Sequence, residues 1–546
     1  MKQIPLQLPE INPLFDDYLY RFDQVSEFYP QDWRNLSPEG LIAHTAFHKP
    51  LNRTELSRVV EAQNRAWGAA APALENARSL ARENTFAVVT GQQAGIFTGP
   101  LYTPYKILTT IATAHRLNHT HPDFRFVPVF WLEVEDNDFR EINHIHYLSQ
   151  DYQLQRLELS ETPGEAFKPI YLRQIPPGIL QWREQLRQDL PLSEFKEQVL
   201  ALFFEAYRAG TSFSDAFAQL LCQLFSEAGL VVVNPADRAL KALALPIFQK
   251  ILQEQKTLHQ ALSEQNARII EKGYQPQIHL PEGHTMLFWL DDDRRRVRID
   301  RSPEGKFLLR YTGEHRPFPG QDPLRAVEKE PWRMIPGVAV RPLLQDSLLP
   351  TRVYVAGPTE TAYFAQLAAL YRVLNMSMPL ILPRHRLTLV EPAIQKIVHK
   401  HHLDYADIFL RSKDLLDWFV QSREHAGTFQ RVEQIRQDAL SILQHLEPLV
   451  QETDLTLLKP YQKTMQSIQR SLNQLTGKLT RALQTKHQIE IAQLSRVQMA
   501  LFPGQKPQER VLNLIYFAVK HGPGFTGQLL KHLPEDIQPH WVVELP

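Results

Sequence analysis

The chain has 546 residues, enough for more than one domain, and its 43% hydrophobic and 22% charged content is that of a soluble globular protein. Lysine plus arginine and aspartate plus glutamate both number 60, so the formal net charge is zero. Without a global basic field, nucleic acid and anionic membranes are poor candidates for the main partner.

The start of the chain and its single cysteine indicate where in the cell the protein is expected. The first 20 residues contain no basic segment followed by an apolar one, and no run of about 18 apolar residues occurs that could span a membrane. Cys222 lies in the helical pattern FAQLLCQLF and is expected to be a buried small hydrophobe rather than a nucleophile. We therefore expect a cytoplasmic protein without a signal peptide.

Short apolar, β-branched runs alternate with amphipathic segments through the first 400 residues. This alternation predicts βα units on a parallel sheet, an α/β fold. Because ligands on such sheets bind at the carboxyl ends of the strands, the residues that directly follow each strand are candidates for a site. The predicted strands are Phe86–Thr90, Phe126–Trp131, Leu230–Val233, Val353–Ala356 and Leu380–Leu382.

Two stretches interrupt this alternation. Residues 151–225 are mostly polar helical patterns with proline-rich breaks, and residues 275–335 contain short alternating pieces that predict antiparallel strands. The DDDRRR run at 291–296 is interpreted as a solvated hairpin, because its opposite charges are neighbours. The remaining parts, assigned to the core, are residues 1–150, 226–274 and 336–425.

Residues 426–500 carry the clearest periodicity. Apolar residues follow a 4-3 spacing in two segments separated by Pro448 and Pro460, which predicts an antiparallel coiled-coil hairpin for dimerisation or domain bridging. The seam positions are Ile435, Ala439, Ile442, Leu446 and Leu449, then Tyr461, Met465, Ile468, Leu472, Leu475, Leu479, Ala482, Lys486 and Ile489. Residues 501–546 are expected to pack back on the core.

The first predicted strand is followed by the run TGQQAGIFTGPLYTPYK, residues 90–106. Gly91, Gly95 and Gly99 would allow positive φ and close approach of the backbone to a ligand, and the helix after Pro100 would direct free N–H groups at an anion. The run fits neither the dinucleotide-binding nor the P-loop pattern. A tight turn without ligand is the alternative interpretation.

Four carboxylates within six residues follow the second strand, namely Glu133, Glu135, Asp136 and Asp138. They repel one another unless a cation lies among them, and a substrate ammonium, a Mg²⁺ ion or an internal arginine would serve. A solvated acidic loop is the alternative, but flanking aromatic residues would hold part of the run against the core, which favours a site. His144, close by, is a candidate for acid–base work because imidazole titrates near neutrality.

The later strands end in a similar way. The strand at 353–356 runs into a Gly357-Pro358 turn and a helix with Glu360 in its first turn, and Arg384 follows the last strand. Arg384 suits a carboxylate or a phosphate, with a structural ion pair as the alternative.

Together these segments resemble the cysteine ligases of bacillithiol biosynthesis, the BshC family. The matching pieces are VVTGQQAGIFTGPLYTPYK, VPVFWLEVEDNDFREINH, RPLLQDSLLPTRVYVAGPTETAYFAQL, MPLILPR and QERVLN, in order from residue 86 to residue 513. One departure is Asn137, which stands where the family motif EDHDF has histidine. Asparagine can hydrogen-bond but cannot transfer a proton near neutral pH. If the histidine is an essential acid or base, this protein is impaired or His144 substitutes for it; if the histidine only positions a group, Asn137 can serve.

The resemblance implies a Rossmann-like parallel-sheet core with two insertions and a coiled coil that mediates homodimers. It implies a ligase that joins the carboxyl of L-cysteine to the amine of glucosaminyl-malate, with ATP or ADP and Mg²⁺ as expected cofactors and no tightly bound metal. Neither a nucleic acid nor a membrane is an expected partner. A non-catalytic nucleotide- or sugar-thiol-binding scaffold is the alternative that Asn137 keeps open. A tRNA-binding synthetase relative is disfavoured by the neutral charge and the absence of HIGH-like and KMSKS-like motifs.

Three groups of site residues follow as hypotheses. The glycine-rich loop would hold a phosphate or a malate carboxylate, the acidic run would bind an ammonium group, and arginines would neutralise charge that develops during acyl transfer. The cofactor-binding candidates are Thr90, Gly91, Gln92, Gln93, Gly95, Thr98 and Gly99. The catalytic candidates are Glu135, Asp136, Asn137, Asp138 and His144. The substrate-binding candidates are Tyr102, Lys106, Arg341, Asp346, Gly357, Glu360, Tyr363 and Arg384.

Overall fold

A computed structural model describes residues 1–8, 12–37, 40–41, 52–416, 418–419, 428–486 and 488–546, with the backbone alone at 428–432 and 480–486. The chain divides into two compact units, Met1–Thr388 with Gln508–Val543, and Leu389–Pro507 with Glu544–Pro546. Within the described residues, no helix combines the length and the apolar character needed to cross a membrane.

The strands and helices are numbered in chain order. The strands are β1 (Lys2–Leu6), β2 (Thr85–Gln93), β3 (Arg125–Glu133), β4 (His144–Leu148), β5 (Leu154–Glu158), β6 (Val231–Val233), β7 (His284–Leu290), β8 (Arg296–Arg301), β9 (Phe307–Tyr311), β10 (Glu314–Pro317), β11 (Met334–Pro336), β12 (Thr351–Ala356), β13 (Leu380–Pro383), β14 (Arg386–Val390) and β15 (His540–Glu544). The helices are α1 (Pro13–Tyr20), α2 (Arg53–Ala66), α3 (Ala71–Ser79), α4 (Tyr102–Thr120), α5 (Phe139–Ile142), α6 (Ile179–Asp189), α7 (Lys196–Ala206), α8 (Phe213–Phe225), α9 (Arg238–Leu243), α10 (Leu245–Gln253), α11 (Gln255–Glu271), α12 (Pro323–Lys329), α13 (Arg341–Leu348), α14 (Pro358–Val373), α15 (Pro392–Lys400), α16 (Tyr405–Leu410), α17 (Thr428–Gln444), α18 (Leu446–Thr453), α19 (Leu458–Lys486), α20 (Gln488–Leu501), α21 (Leu514–His521) and α22 (Phe525–Lys531).

The first unit is organised around a parallel sheet of order β13–β12–β2–β3–β6. Its strands coincide with the five predicted runs, so the predicted parallel sheet is confirmed. β2 and β3 extend beyond the predicted ends, because Gly91–Gln93 continue to pair with Trp131–Glu133 after the apolar runs end. The strands are buried almost throughout, as expected for a sheet covered on both faces.

The two interruptions of the core have different structures. Residues 151–225 contain the predicted helices, but also β5, which pairs antiparallel with β4 and was not predicted. Residues 275–335 form the predicted antiparallel strands, in a sheet of order β10–β9–β8–β7–β11. The DDDRRR run does turn between β7 and β8, but Arg296 is 13% exposed and binds Asp136, so a wholly solvated hairpin is wrong.

The second unit contains the predicted coiled coil. The Tyr461 hydroxyl of α19 donates to the Leu443 carbonyl of α17 at 3.1 Å, as expected where a helical hairpin reverses direction. The predicted seam is correct only in part, because one hairpin buries one stripe of each helix. Half-buried positions are Ala439, Tyr461, Met465, Ile468 and Leu472, whereas Ile435, Ile442, Leu446, Leu449, Leu475, Leu479 and Ile489 are exposed. The side chains of Ala482 and Lys486 lie outside the described residues.

Cys222 is buried in α8, as the helical pattern predicts. Burial raises the pKa of its thiol to about 12. The thiolate is the nucleophilic form, so this cysteine is unreactive near neutral pH.

Two buried histidines lie where the first unit closes on its C-terminal segment. The His385 ring contacts Thr109 Oγ1 and the Pro534 carbonyl at 2.9 and 2.7 Å, and the His540 ring contacts Thr388 Oγ1 at 2.9 Å. Burial lowers the pKa of each imidazole to about 4, from a usual value of 6.5. Both rings are therefore neutral in the folded protein over most of the acid range.

We expect acid to destabilise the first unit through these rings. Between pH 6.5 and 4 the unfolded chain binds protons that the folded chain does not, so each pH unit lowers the free energy of unfolding by up to about 1.4 kcal/mol per histidine. Urea denaturation at stepped pH values measures this slope. H385Q should reduce the slope, and the exposed H119Q should not. An H385Q slope equal to that of wild type would contradict the assignment.

Candidate active site

The carboxyl ends of β2, β3, β12 and β13 meet at one edge of the parallel sheet, because neighbouring parallel strands end on the same side. We call this the carboxyl edge and define it by Gly91–Gln93, Glu133–Asp138, Ala356–Glu360 and Arg384. Charged side chains from other parts of the first unit also reach it. Each is described below with its partners.

Lys106 lies in the first turns of α4 and is buried beneath the carboxyl edge. Its ammonium donates to the Gly91 carbonyl at 3.0 Å and to Gln92 Oε1 at 2.8 Å, and it forms an ion pair with Glu360. Burial lowers the pKa of Lys106, and the Glu360 carboxylate opposes that shift. Lys106 therefore joins the ends of β2 and α14.

Glu360 is held by the start of its own helix. Its carboxylate accepts the Gly357 N–H at 2.8 Å, as in a capping box, and the Tyr354 hydroxyl at 2.9 Å. With Lys106 as a third partner, Glu360 has little freedom to move. It fixes the Gly357-Pro358 turn at the edge.

Arg341 starts α13 and is buried among tyrosines. Its Nε lies 2.9 Å from Glu133 Oε1, and Nη2 donates to the hydroxyls of Tyr354 and Tyr363 at 3.3 and 3.2 Å. Nη1 donates to Gln345 Oε1 at 3.0 Å. The guanidinium is thus fixed against the last residue of β3.

Two further cations neutralise the acidic run. Lys241, from α9, forms a buried ion pair with Glu135 and donates to the Met334 carbonyl at 2.8 Å. Arg296, from β8, donates to Asp136 Oδ1 at 3.1 Å, and its guanidinium carbon lies 3.6 Å from the centre of the Phe288 ring. With Arg341 at Glu133, the internal cations that the repelling carboxylates require are therefore one lysine and two arginines of the chain itself.

Asn137 and Asp138 have different environments. Asn137 Oδ1 receives a contact from Arg296 Nη1 at 3.4 Å, and its carbonyl accepts from the buried Arg173 at 3.0 Å. Asp138 is exposed and caps α5 by accepting the Arg140 N–H at 3.1 Å. Asn137 therefore lies in the charged cluster, whereas Asp138 caps α5.

Arg384 forms the structural ion pair that was the alternative interpretation. It is 3% exposed and binds Glu509 through two nitrogens, at 2.7 and 2.6 Å. Burial alone would raise the pKa of Glu509, but the guanidinium holds it below its usual value. Arg384 nevertheless lies at the edge, since a Cβ on Gly357 would be 3.8 Å from its Nε.

The glycine-rich run is a closed turn. A Cβ on Gly95 would lie 2.9 Å from Gly99 Cα, so the turn requires glycine there, and Gly99 has φ +69°. Positive φ was also expected at Gly91 and Gly95, but Phe97 and Thr98 adopt it instead. Thr90 is buried in the sheet, where its hydroxyl donates to Val355. Of the seven candidates in this run, Gln92 and Gln93 retain exposure at the edge.

The C-terminal segment covers this turn. The Leu101 N–H, at the start of α4, donates to the Leu512 carbonyl at 3.0 Å, and Asn513 Nδ2 donates to the carbonyls of Ile96 and Gly99 at 3.2 and 2.8 Å. Residues Ile96–Gly99 are buried. The Leu101 N–H, one of the groups expected to hold an anion, is thus occupied, and the turn before it is covered by protein.

Two candidates lie away from the cluster. Asp346 is buried at the other end of α13, accepts from Gln345 and Tyr371, and contacts Thr351 at the start of β12, so it is structural. His144 lies in the β4–β5 hairpin, where its charged neighbours are Arg156 and Glu158. Burial lowers the pKa of His144. Neither residue faces the carboxyl edge.

Sequence profiles match both halves of the chain. The profile described as "Bacillithiol biosynthesis BshC, N-terminal Rossmann-like domain" matches residues 1–385, and "Bacillithiol biosynthesis BshC, C-terminal coiled-coil domain" matches residues 387–545. The chain belongs to the BshC family. This confirms both the resemblance read from the motifs and the Rossmann-like and coiled-coil classes.

Three similar proteins come from Salinibacter ruber, Chloroherpeton thalassium and Symbiobacterium thermophilum, each named "Putative cysteine ligase BshC". The first is 35% identical over 99% of this chain and 97% of the relative. The second is 33% identical over 94% and 91%, and the third 31% over 95% and 94%. The similarity therefore extends over both units.

In this BshC-family chain, four charged residues of the site were not among the residues proposed from the sequence. Glu133 was counted in the acidic run but given no role, and Arg296 was assigned to solvent. Glu509 lies in the matching piece QERVLN, so its position was visible but its partner was not. Lys241 has no local sequence signal, because its partner is 106 residues away.

The buried Lys241–Glu135 pair predicts a specific stability pattern. K241M leaves a buried carboxylate uncompensated and should lower the free energy of unfolding by about 3–5 kcal/mol. The double variant K241M/E135L should recover most of that loss, because both charges are removed. Urea denaturation measures the free energy of unfolding of both variants.

A matched control is the exposed Arg187–Glu197 pair, where R187M should lower the free energy of unfolding far less, because solvent screens both charges. A K241M loss as small as that of R187M would contradict the buried pairing.

Proposed function

We propose that the protein is a cytoplasmic ligase that joins the carboxyl of L-cysteine to the amine of glucosaminyl-malate, forming an amide bond in bacillithiol biosynthesis. Its BshC-family membership supports the reaction. The observation that carries the site is the cluster of paired charges at the carboxyl edge. Both substrates bring ammonium and carboxylate groups, which a preorganised charged edge can bind.

The acidic side of the edge suits an ammonium group. Asp136 is 38% exposed despite its contact with Arg296, and Gln93 Nε2 donates to its Oδ2 at 3.3 Å. Gln93 Oε1 is buried and has no hydrogen-bond partner among the described residues. A substrate ammonium would donate a hydrogen bond to Gln93 Oε1 and would balance the remaining negative charge of Asp136.

The opposite side suits a carboxylate. Tyr102, at the start of α4, is partly exposed, and Arg510 is exposed close enough to oppose the rise in the Tyr102 pKa. Burial raises that pKa to about 12, so the hydroxyl remains a donor. Tyr102 and Arg510 are the proposed contacts for malate, with Thr359 exposed at the nearby start of α14.

ATP with Mg²⁺ does not fit the glycine-rich turn. Ile96–Gly99 and the Leu101 N–H, just before α4, are covered by Leu512 and Asn513. Among the described residues, no group of three or more His, Cys, Asp or Glu is arranged to hold a metal ion. We therefore assign no residue of this turn to a nucleotide. Whether product formation depends on ATP and Mg²⁺ is left to the experiment below.

Asn137 favours a second candidate, a scaffold that binds the sugar thiol without catalysis. The family histidine is replaced, and the substitute contacts Arg296 rather than a group that transfers protons. On this alternative the edge binds ligand but forms no amide bond.

Mass spectrometry of the purified chain incubated with glucosaminyl-malate and L-cysteine, with and without ATP and Mg²⁺, separates these candidates. We expect a product at the mass of bacillithiol. D136N should reduce its formation by at least about tenfold, the effect of losing one charge-assisted contact worth about 1.5–3 kcal/mol. E205Q, on the exposed face of α7, is the matched control. Binding without product would favour the scaffold, and normal turnover by D136N would contradict the site.

A homodimer through the coiled coil is also proposed. Ile442 and Leu449, 67% and 58% exposed, lie on a stripe of exposed apolar residues along the hairpin, and such stripes are usually covered by another helix. I442D should convert a dimer to a monomer in sedimentation equilibrium, whereas Q444E, an exposed neighbour, should not. A monomeric wild-type chain would contradict the proposal.

A further inference from the structure

One carboxylate of the acidic run, Glu133, has a partner whose other hydrogen-bond donors are already occupied. Glu135 is committed to Lys241, Asp136 to Arg296 and Gln93, and Asp138 to the cap of α5. Glu133 contacts Arg341 through a single guanidinium nitrogen, because the other nitrogens bind Gln345 and two tyrosines. About a quarter of its side chain (26%) remains exposed at the carboxyl edge.

The groups that face Glu133 come from several elements. Arg341 lies on α13, Lys241 on α9 and Arg296 on β8, the acidic neighbours belong to the edge itself, and one phenol lies on α14. These neighbours are Glu135, Asp136, Glu360 and Tyr363. Burial raises the pKa of Glu133 to about 7; Arg341 opposes the shift, and the neighbouring carboxylates add to it. A carboxyl of this kind exchanges a proton at the pH of the cytoplasm.

We propose that Glu133 is the general base that removes a proton from the attacking ammonium of the amino sugar. The inference rests on the proposed ligation and names the catalytic residue for it. Glu133 is the last residue of β3, where its position is set by the sheet, and Asp136 and Gln93 lie beside it to hold the ammonium.

The step balances as follows for a cysteinyl donor whose carboxyl carries a leaving group, as an ester, thioester or acyl phosphate. The sugar ammonium gives one proton to the Glu133 carboxylate and becomes an amine. The nitrogen lone pair forms the new C–N bond to the acyl carbon, and the bond to the leaving group breaks with its electron pair. The second nitrogen proton passes to the leaving group or to water, and Glu133 releases its proton to water.

Other titratable groups near Glu133, or proposed from the sequence, are less suited to this role. Glu360 already accepts from the Gly357 N–H and Tyr354 and is paired with Lys106. Burial raises the pKa of Tyr363, so its phenol stays protonated near neutral pH. His144 lies in the β4–β5 hairpin.

The rate of amide formation against pH tests the proposal. In wild type we expect kcat to fall on the acid side with an inflection near pH 7, since the base must be ionised. E133Q should lose about 10²- to 10⁴-fold in kcat, the range for removal of a general base, and should lose the inflection. E133D, which keeps a charge opposite Arg341, should retain the inflection at an intermediate rate. E205Q should match wild type.

Turnover of E133Q within a few-fold of wild type, or an unchanged acid limb in E133Q, would overturn the assignment. A second measurement does not depend on activity. Infrared difference titration of wild type against E133Q should show one carboxyl that protonates near pH 7. Absence of that signal would overturn the proposal even if wild type makes product. Its presence in a chain that makes no product would support the proton-exchanging carboxyl and reject the ligation instead.

Discussion

Burial of charge at the carboxyl edge of the parallel sheet is the constraint on which the rest of the structure depends. An unpaired buried charge costs several kcal/mol, so each cation that reaches the edge must arrive with a partner. The pairs join distant parts of the first unit, because α9 supplies Lys241, the β-rich insertion supplies Arg296, and the C-terminal segment supplies Glu509. Correct closure of all three elements is therefore needed before the edge acquires its charge pattern.

The same pairing explains how one acidic run acquires several roles. Carboxylates separated by one or two residues would repel one another in water, but different partners separate their properties. Glu135 is neutralised by a lysine, Asp136 shares an arginine and keeps exposure, and Glu133 meets one nitrogen of a guanidinium that is otherwise occupied. Two carboxylates of one strand end can thus bind an ammonium and exchange a proton, respectively.

Local patterns in the sequence predict the sheet well, and they predict which residues directly follow its strands. Short, β-branched apolar runs such as FAVVT are typical of buried strands, and the rule for parallel strands places Glu133 and Gly357 at one edge. The partners were not predictable in this way, because an ion pair between residues 106 positions apart leaves no local pattern. The coiled-coil register was right in period but did not show which stripe one hairpin leaves exposed.

The glycine-rich run shows a second limit. Its composition is typical both of an anion-binding loop and of a tight turn, and the choice depends on Leu512 and Asn513, more than 400 residues away. The motif that identifies the family most clearly is therefore largely structural at Gly95–Gly99. Its exposed part, Gln92 and Gln93, is where it meets the edge.

The central claim is that substrate binds at the carboxyl edge, and amide hydrogen exchange with and without glucosaminyl-malate tests it most directly. Bound glucosaminyl-malate should slow amide exchange in the peptides that contain Glu133–Asp138 and Gly357–Glu360. The cleft of about 660 Å³ at the opposite end of the strands, lined by Asn84, His115 and Arg125, should not change. Protection confined to that cleft, with none at Glu133–Asp138, would contradict the account.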